Sequence, residues 1–124
     1  MSYPIRIKVE GLELTAELFD TDCGRRLYEA LPVEAEPNEW GDEFYFRVPV
    51  NCELDETATM EVKVGDIGYW PPGQALAIFF GPTPASTGPD PVPASEVNLV
   101  GRILEDASRL KEAKGARLIR LEPL

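Results

Sequence analysis

The chain has 124 residues, 44% of them apolar and 27% charged, the proportions of a folded domain with an ordinary core and not of a disordered segment. Twenty-two acidic residues stand against 12 basic ones, a formal charge of −10, which argues against a nucleic-acid or anionic-membrane surface, where phosphates must be met by clustered Lys and Arg. There is no histidine, so Ser-His-Asp and Cys-His nucleophile systems, His-ligated zinc or iron and histidine acid–base chemistry are excluded.

One domain over residues 1–124 is expected at this length. Two cysteines, Cys23 and Cys52, are too few for a disulfide framework or a four-thiolate metal site. Two reduced, partly buried thiols are the simpler expectation and a single bridge the alternative. The N-terminus alternates apolar and charged residues and reads as no signal peptide. No stretch reaches the roughly 18 apolar residues of a membrane span. The expectation is a soluble, cytoplasmic protein.

In chain order, Ile5, Ile7 and Val9 alternate with charged residues, Gly11 turns the chain, and Leu12, Leu14, Ala16 and Leu18 alternate again. This period of two predicts a hairpin with one wet face. Asp20-Thr21-Asp22 offers a helix N-cap, Leu27 and Leu31 share a helical face, and Pro32 ends the segment. Residues 33–43 are acidic and turn-rich. Phe44 to Val48 reads as a strand, residues 50–57 as irregular, and Thr59 to Val64 as another strand. Ile67 to Trp70 runs into the rigid turn Pro71-Pro72-Gly73, and the apolar run Ala75 to Phe80 is a buried strand stopped by Gly81-Pro82. The prolines of 81–94 predict an ordered surface loop, one that could cover a neighbouring groove. Residues 95–115 read either as one long helix or as a strand to Ile103 followed by a helix from about Glu105 to Lys114. In the second reading Ala107, Leu110 and Ala113 turn inward and Gly115 closes the helix. Ala116 to Leu121 closes as a strand. Seven or eight strands with two short helices suggest a closed barrel.

Residues 29–66 hold 11 acidic side chains against Arg47 and Lys63, whereas 102–120 hold six basic against three acidic. Solvated faces account for this, and no calcium-loop or other metal-ligand spacing accompanies it.

The block Gly65-Asp66-Ile67-Gly68-Tyr69-Trp70-Pro71-Pro72-Gly73, followed by Ala75 to Gly81, resembles a small prokaryotic cyclophilin-like family of unknown function. So do Trp40-Gly41 with Glu43 and Tyr45-Phe46, and Pro93-Ala94-Ser95 with Val97 to Gly101. The resemblance covers nearly the whole chain and implies a mainly β fold, a closed eight-stranded barrel with two short helices capping its ends. More distantly the chain resembles the cyclophilin prolyl cis/trans isomerases, through Leu14 to Asp20, Phe79-Phe80 and Val100 to Glu105. By that resemblance Phe46-Arg47-Val48 corresponds to the segment that carries their catalytic arginine. The chain departs from the cyclophilin pattern at Val48-Pro49, at Ile78 and at Ala94-Ser95-Glu96.

Prolyl isomerisation needs no histidine, metal or cofactor. A guanidinium that donates to the prolyl nitrogen weakens the amide's partial double bond. Arg47 is the candidate for that role. Alternation turns Phe44, Phe46 and Val48 into the barrel and Tyr45 and Arg47 outward. The resemblance makes Phe80 the groove residue and Phe79 the core one. The candidate ligand-binding residues are Tyr45, Trp70, Gln74 and Phe80, facing a small molecule or a proline-containing peptide. Three readings stand side by side: a binding module, an isomerase using Arg47, and a non-catalytic subunit of an enzyme assembly or a homo-oligomer. No cofactor, metal, nucleic acid or membrane is called for.

Overall fold

A computed structural model describes all residues, 1–124. The opening hairpin forms as the alternation requires. β1 (Ser2–Val9) pairs antiparallel with β2 (Leu12–Phe19), with Val9 opposite Leu12. The two residues between them, Glu10 and Gly11, both take positive φ, +48° and +79°. That is the tight turn whose twist matches flanking strands, and Gly11 meets its requirement without steric cost. Ile5, Ile7, Val9, Leu14, Ala16 and Leu18 are all buried.

Helix α1 (Asp22–Glu29) starts at Thr21, whose side chain accepts from the Gly24 backbone N–H, and Cys23 and Leu27 pack into the core. The acidic stretch after it carries two short strands that its turn-rich composition hid, β3 (Val33–Ala35) and β4 (Asn38–Glu39). The expected strand over Thr59 to Val64 shrinks to β6 (Ala58–Thr59). It occupies the stretch of β9 (Val97–Ile103) at Val97 and Asn98, while β2 pairs with that strand farther along, at Gly101 to Ile103. The pairing is antiparallel, so beyond Thr59 the chain runs off the start of β9 at Val97. The remaining strands are β5 (Glu43–Arg47), β7 (Asp66–Trp70), β8 (Ala75–Phe79) and β10 (Ile119–Pro123).

Ten strands thus form one curled antiparallel sheet in the order β3-β10-β1-β2-β9-β7-β8-β5-β4, with β6 beside β9. The end strands β3 and β4 are consecutive in the chain and separated only by Glu36 and Pro37, so the chain itself joins the two edges. Pro37 has no N–H to extend a ladder there. The expectation of a mainly β, barrel-like class holds. The count of eight strands becomes ten because two are only two residues long.

Within the ambiguous stretch 95–115, residues 97–103 settle as strand, not helix. The second helical segment, Ala107–Ala113, is a 3-10 helix capped by Asp106, whose side chain accepts from the Ser108 N–H. Its inward residues Ala107, Leu110 and Ala113 are spaced by three, which matches three residues per turn, and the α-helix expectation gives way there. Gly115 follows at φ +92°.

The irregular segment 48–57 is tied to the barrel by two buried side chains. The Tyr69 hydroxyl donates to the Val50 carbonyl at 2.7 Å and accepts from the Cys52 N–H at 3.1 Å. Asn98 accepts from the Asp55 N–H and donates to the Glu53 carbonyl, both at 2.9 Å. Tyr69→Phe leaves two buried backbone groups unpaired. It is expected to cost about 2–3 kcal/mol, read as a lower urea midpoint at unchanged slope. A loss under about 0.5 kcal/mol would show that the hydroxyl does not anchor the segment.

Candidate functional site

Two strands set the site by their alternation. On β5, Phe44 and Phe46 point into the core and Glu43 and Tyr45 point to the outer face. On β8, Leu76 and Ile78 are core, and Ala77 and Phe79 face outward with Val62 and Val97 in a small second cluster. The β4–β5 hairpin turns at Trp40-Gly41-Asp42. Gly41 takes φ +62° and the Trp40 N–H donates to the Glu43 carbonyl at 3.0 Å, which brings Trp40 back over the start of β5. At the end of β7, the Trp70 indole N–H donates to Ser95 Oγ at 2.7 Å. Gly73 lies directly under the Trp70 ring, where a Cβ would come within 2.8 Å of ring carbons. The Trp-Pro-Pro-Gly sequence is therefore a seat for that indole.

Between these elements lies a pocket of about 140 Å³, walled by Trp40, Tyr45, Trp70, Ala77, Phe79 and Val97, with Pro93 and Ala94 of the proline-rich loop at its rim. That loop is ordered, as its prolines predict. The Thr83 hydroxyl donates to the Val92 carbonyl, and Ser86 Oγ donates to the Asp90 carbonyl. The loop forms part of the pocket wall rather than a cover across it. A volume near 150 Å³ takes a group about the size of a benzene ring.

One charged group lines this otherwise apolar pocket. Glu43 is only 7% exposed and its Oε1 has no hydrogen-bond partner within the chain. Burial pushes its carboxyl from the ordinary 4.5 up to about 7, with no donor or cation acting against the shift. The neighbouring basic residues are engaged elsewhere. Lys114 and Lys111 meet the Asp42 carboxylate at 2.9 and 3.8 Å. Asp42 and Glu43 therefore form no acid–base pair, since one is neutralised by lysines and the other enters the pocket.

The expected site residues divide. Tyr45 and Trp70 meet in the pocket. Arg47 shares the outer face of β5, as alternation predicts, but it is exposed and lies outside the pocket wall, with its Nη2 3.5 Å from Gln74 Oε1. Gln74 has a structural task. At φ +49° it closes the 71–73 turn, and its amide donates to the Val48 carbonyl at 2.9 Å. The assignment of Phe80 to the groove and Phe79 to the core is reversed. Both rings are fully buried, but Phe80 packs inside against Phe44, ring centroids 4.7 Å apart, and Phe79 lies on the outer, pocket side of the sheet. The signal was in the run itself. Alanines at 75 and 77 alternate with Leu76 and Ile78, and the large residues mark the core parity that Phe80 shares. Sequence reasoning also missed Glu43, whose burial depends on a hairpin and a loop distant in the chain.

The other candidate chemistry is quiet. Cys23 and Cys52 are free and buried, and burial together with Cys52 pushes the Cys23 thiol up, so it stays protonated. The acidic and basic segments meet each other in part, through Asp42 with Lys111 and Lys114 and through Glu34 with Arg120 at 3.0 Å. No three acidic, Cys or His side chains are placed to hold a metal ion, and no helix is long and apolar enough to cross a membrane.

Comparison with known proteins agrees with this architecture. Residues 3–122 match the cyclophilin-like family. The chain belongs to that family. The solution structure of a hypothetical protein from Archaeoglobus fulgidus superposes with a TM-score of 0.80 at 36% identity, covering 99% of this chain and 95% of the other. McbB in complex with tryptophan superposes with a TM-score of 0.69 at 19% identity, covering 96% of this chain and 44% of that one. No curated protein gives a significant match. In this chain the Tyr69-to-Gly73 block anchors segment 48–57 through Tyr69 and seats Trp70 on Gly73.

Proposed function

We propose that this cyclophilin-like protein is a binding module that takes one ring-sized or branched-alkyl group into the pocket between Trp40, Tyr45, Trp70 and Phe79. The observation that carries the reading is a preformed concave apolar site with a single buried polar group inside it, the arrangement by which ligand sites gain affinity from burial and orientation from one contact. The pocket's size suits a small molecule or one side chain of an extended peptide. McbB, 44% of whose chain superposes on this one, was solved in complex with tryptophan. Turnover has less support. The isomerase reading requires a guanidinium at the bound prolyl nitrogen, and Arg47 lies outside the pocket wall beside Gln74.

The test is an NMR titration of the full chain with indole, phenol and an N-acetylproline amide, following the Trp40 and Trp70 indole N–H signals. Saturable shifts are expected at dissociation constants around the millimolar range, given the few atoms buried. Ala77→Leu, which fills the pocket, is expected to abolish them, and Arg47→Ala to leave them within about twofold. Exchange spectroscopy on a proline peptide is expected to show no acceleration over the uncatalysed exchange, which takes tens of seconds or longer. Acceleration lost in Arg47→Ala would replace this reading with the isomerase.

A further inference from the structure

The pocket's chemistry is more specific than its shape. A neutral apolar ligand would leave the Glu43 carboxylate, the one charged group of the pocket lining, without an opposite charge beside it. An anion would meet a carboxylate with no lysine or arginine to offset it. A metal ion needs several oxygen ligands, and a lone carboxylate among aromatic rings does not supply them. A primary ammonium carries three N–H donors, which need more acceptors than this wall provides. An ammonium whose hydrogens are replaced by methyl groups needs charge and polarisable surface instead of acceptors. The two tryptophans, the tyrosine and the phenylalanine supply that surface, because ring faces attract cations through their quadrupoles.

We propose that the ligand is a small organic cation, whose methylated ammonium head sits among Trp40, Tyr45, Trp70 and Phe79 with the Glu43 carboxylate as its counter-charge. This rests on the pocket being the binding site. The volume of about 140 Å³ holds the head and leaves the rest of the molecule to the pocket mouth. The chain's charge of −10 favours the approach of a cation at low salt. The cation offsets the carboxylate's charge without hydrogen-bonding to it, as ring faces and a single counter-charge require.

Choline and 3,3-dimethyl-1-butanol test this. They share a shape, and carbon replaces the charged nitrogen in the second. Each is titrated into the full chain at pH 8 in 150 mM salt, with the Trp40 and Trp70 indole signals as the readout. Choline is expected to bind at least tenfold more tightly than its isostere. Glu43→Gln is expected to reduce that ratio to about threefold or less, and Glu43→Asp, which keeps the charge, to retain most of it. Equal binding of the two compounds would overturn the cation assignment, as would an unchanged ratio in Glu43→Gln, and both would leave the binding pocket standing. Shifts with indole or phenol but with neither isostere would do the same. Silence from every compound would overturn both this inference and the binding reading.

Discussion

Glu43→Gln is expected to flatten the pH dependence of stability. The Glu43 carboxyl titrates near 7 in the folded protein against an ordinary 4.5. Because the folded-state value is raised, the folded chain holds a proton that the unfolded chain has released across this window. Stability therefore falls as pH rises from about 4.5 to 7, by up to ~3 kcal/mol, and stays low above it. Below pH 4.5 the group is neutral in both states and costs nothing of this kind. The charged groups nearest in the chain do not disturb this, since Asp42 is engaged with Lys111 and Lys114. The general relief of acidic self-repulsion at low pH acts on wild type and variant alike. The amide brings buried hydrogens of its own, so the change in the gap between the two proteins is the measured quantity. Urea unfolding at pH 4 and pH 8 should show that gap moving by about 3 kcal/mol in favour of the variant, or roughly 10 °C in melting temperature for a domain of this size. Parallel pH profiles would show that the carboxylate is hydrated in the folded protein and that the pocket is wetter than its walls suggest.

Gly101→Ala is expected to be still more damaging. Gly101 lies opposite Leu18 of β2 on one side and Ile67 of β7 on the other. A Cβ there would fall onto the Glu17 carbonyl oxygen, and the Leu18 Cα would stand only 3.2 Å away. Backbone atoms cannot turn aside as a side chain can. Room is made only by parting β2 from β9, which breaks the ladder at three positions and the Arg102–Glu17 ion pair at 2.7 Å. A cost above about 4 kcal/mol is expected, a large part of the 5–15 kcal/mol that holds an ordinary domain. Gly88→Ala is the control, because a Cβ at Gly88 meets nothing within 4 Å. It should lie within about 0.5 kcal/mol of wild type or slightly above it. Equal melting temperatures for the two variants would mean that the β2–β9 pairing is looser than the register indicates.

The local features of the molecule were legible in the residues because they follow from periods and turn chemistry. The hairpin 2–19 needs only its alternation and Gly11. The cap at Thr21 needs only its hydroxyl, and the inward spacing of 107, 110 and 113 survives the change from α to 3-10 geometry. The family and its mainly β class were legible through the block from Gly65 to Gly73. Three other features were set by partners distant in the chain. The short strands β3 and β4 exist because β10 and β5 offer them edges, not because their acidic sequence prefers a strand. Of the expected strand at 59–64 only Thr59 is in a strand, because β9 begins at Val97, opposite it. The site itself is the clearest case. Alternation sets which residues of one strand share a face, but it does not say which neighbour covers that face. Glu43 becomes a buried carboxyl only in the assembled sheet, where it lines one pocket with Trp40 and with Pro93 and Ala94 of the loop 50 residues on. Burial belongs to the assembled surface, and charge in a sequence carries no record of whether water will reach it.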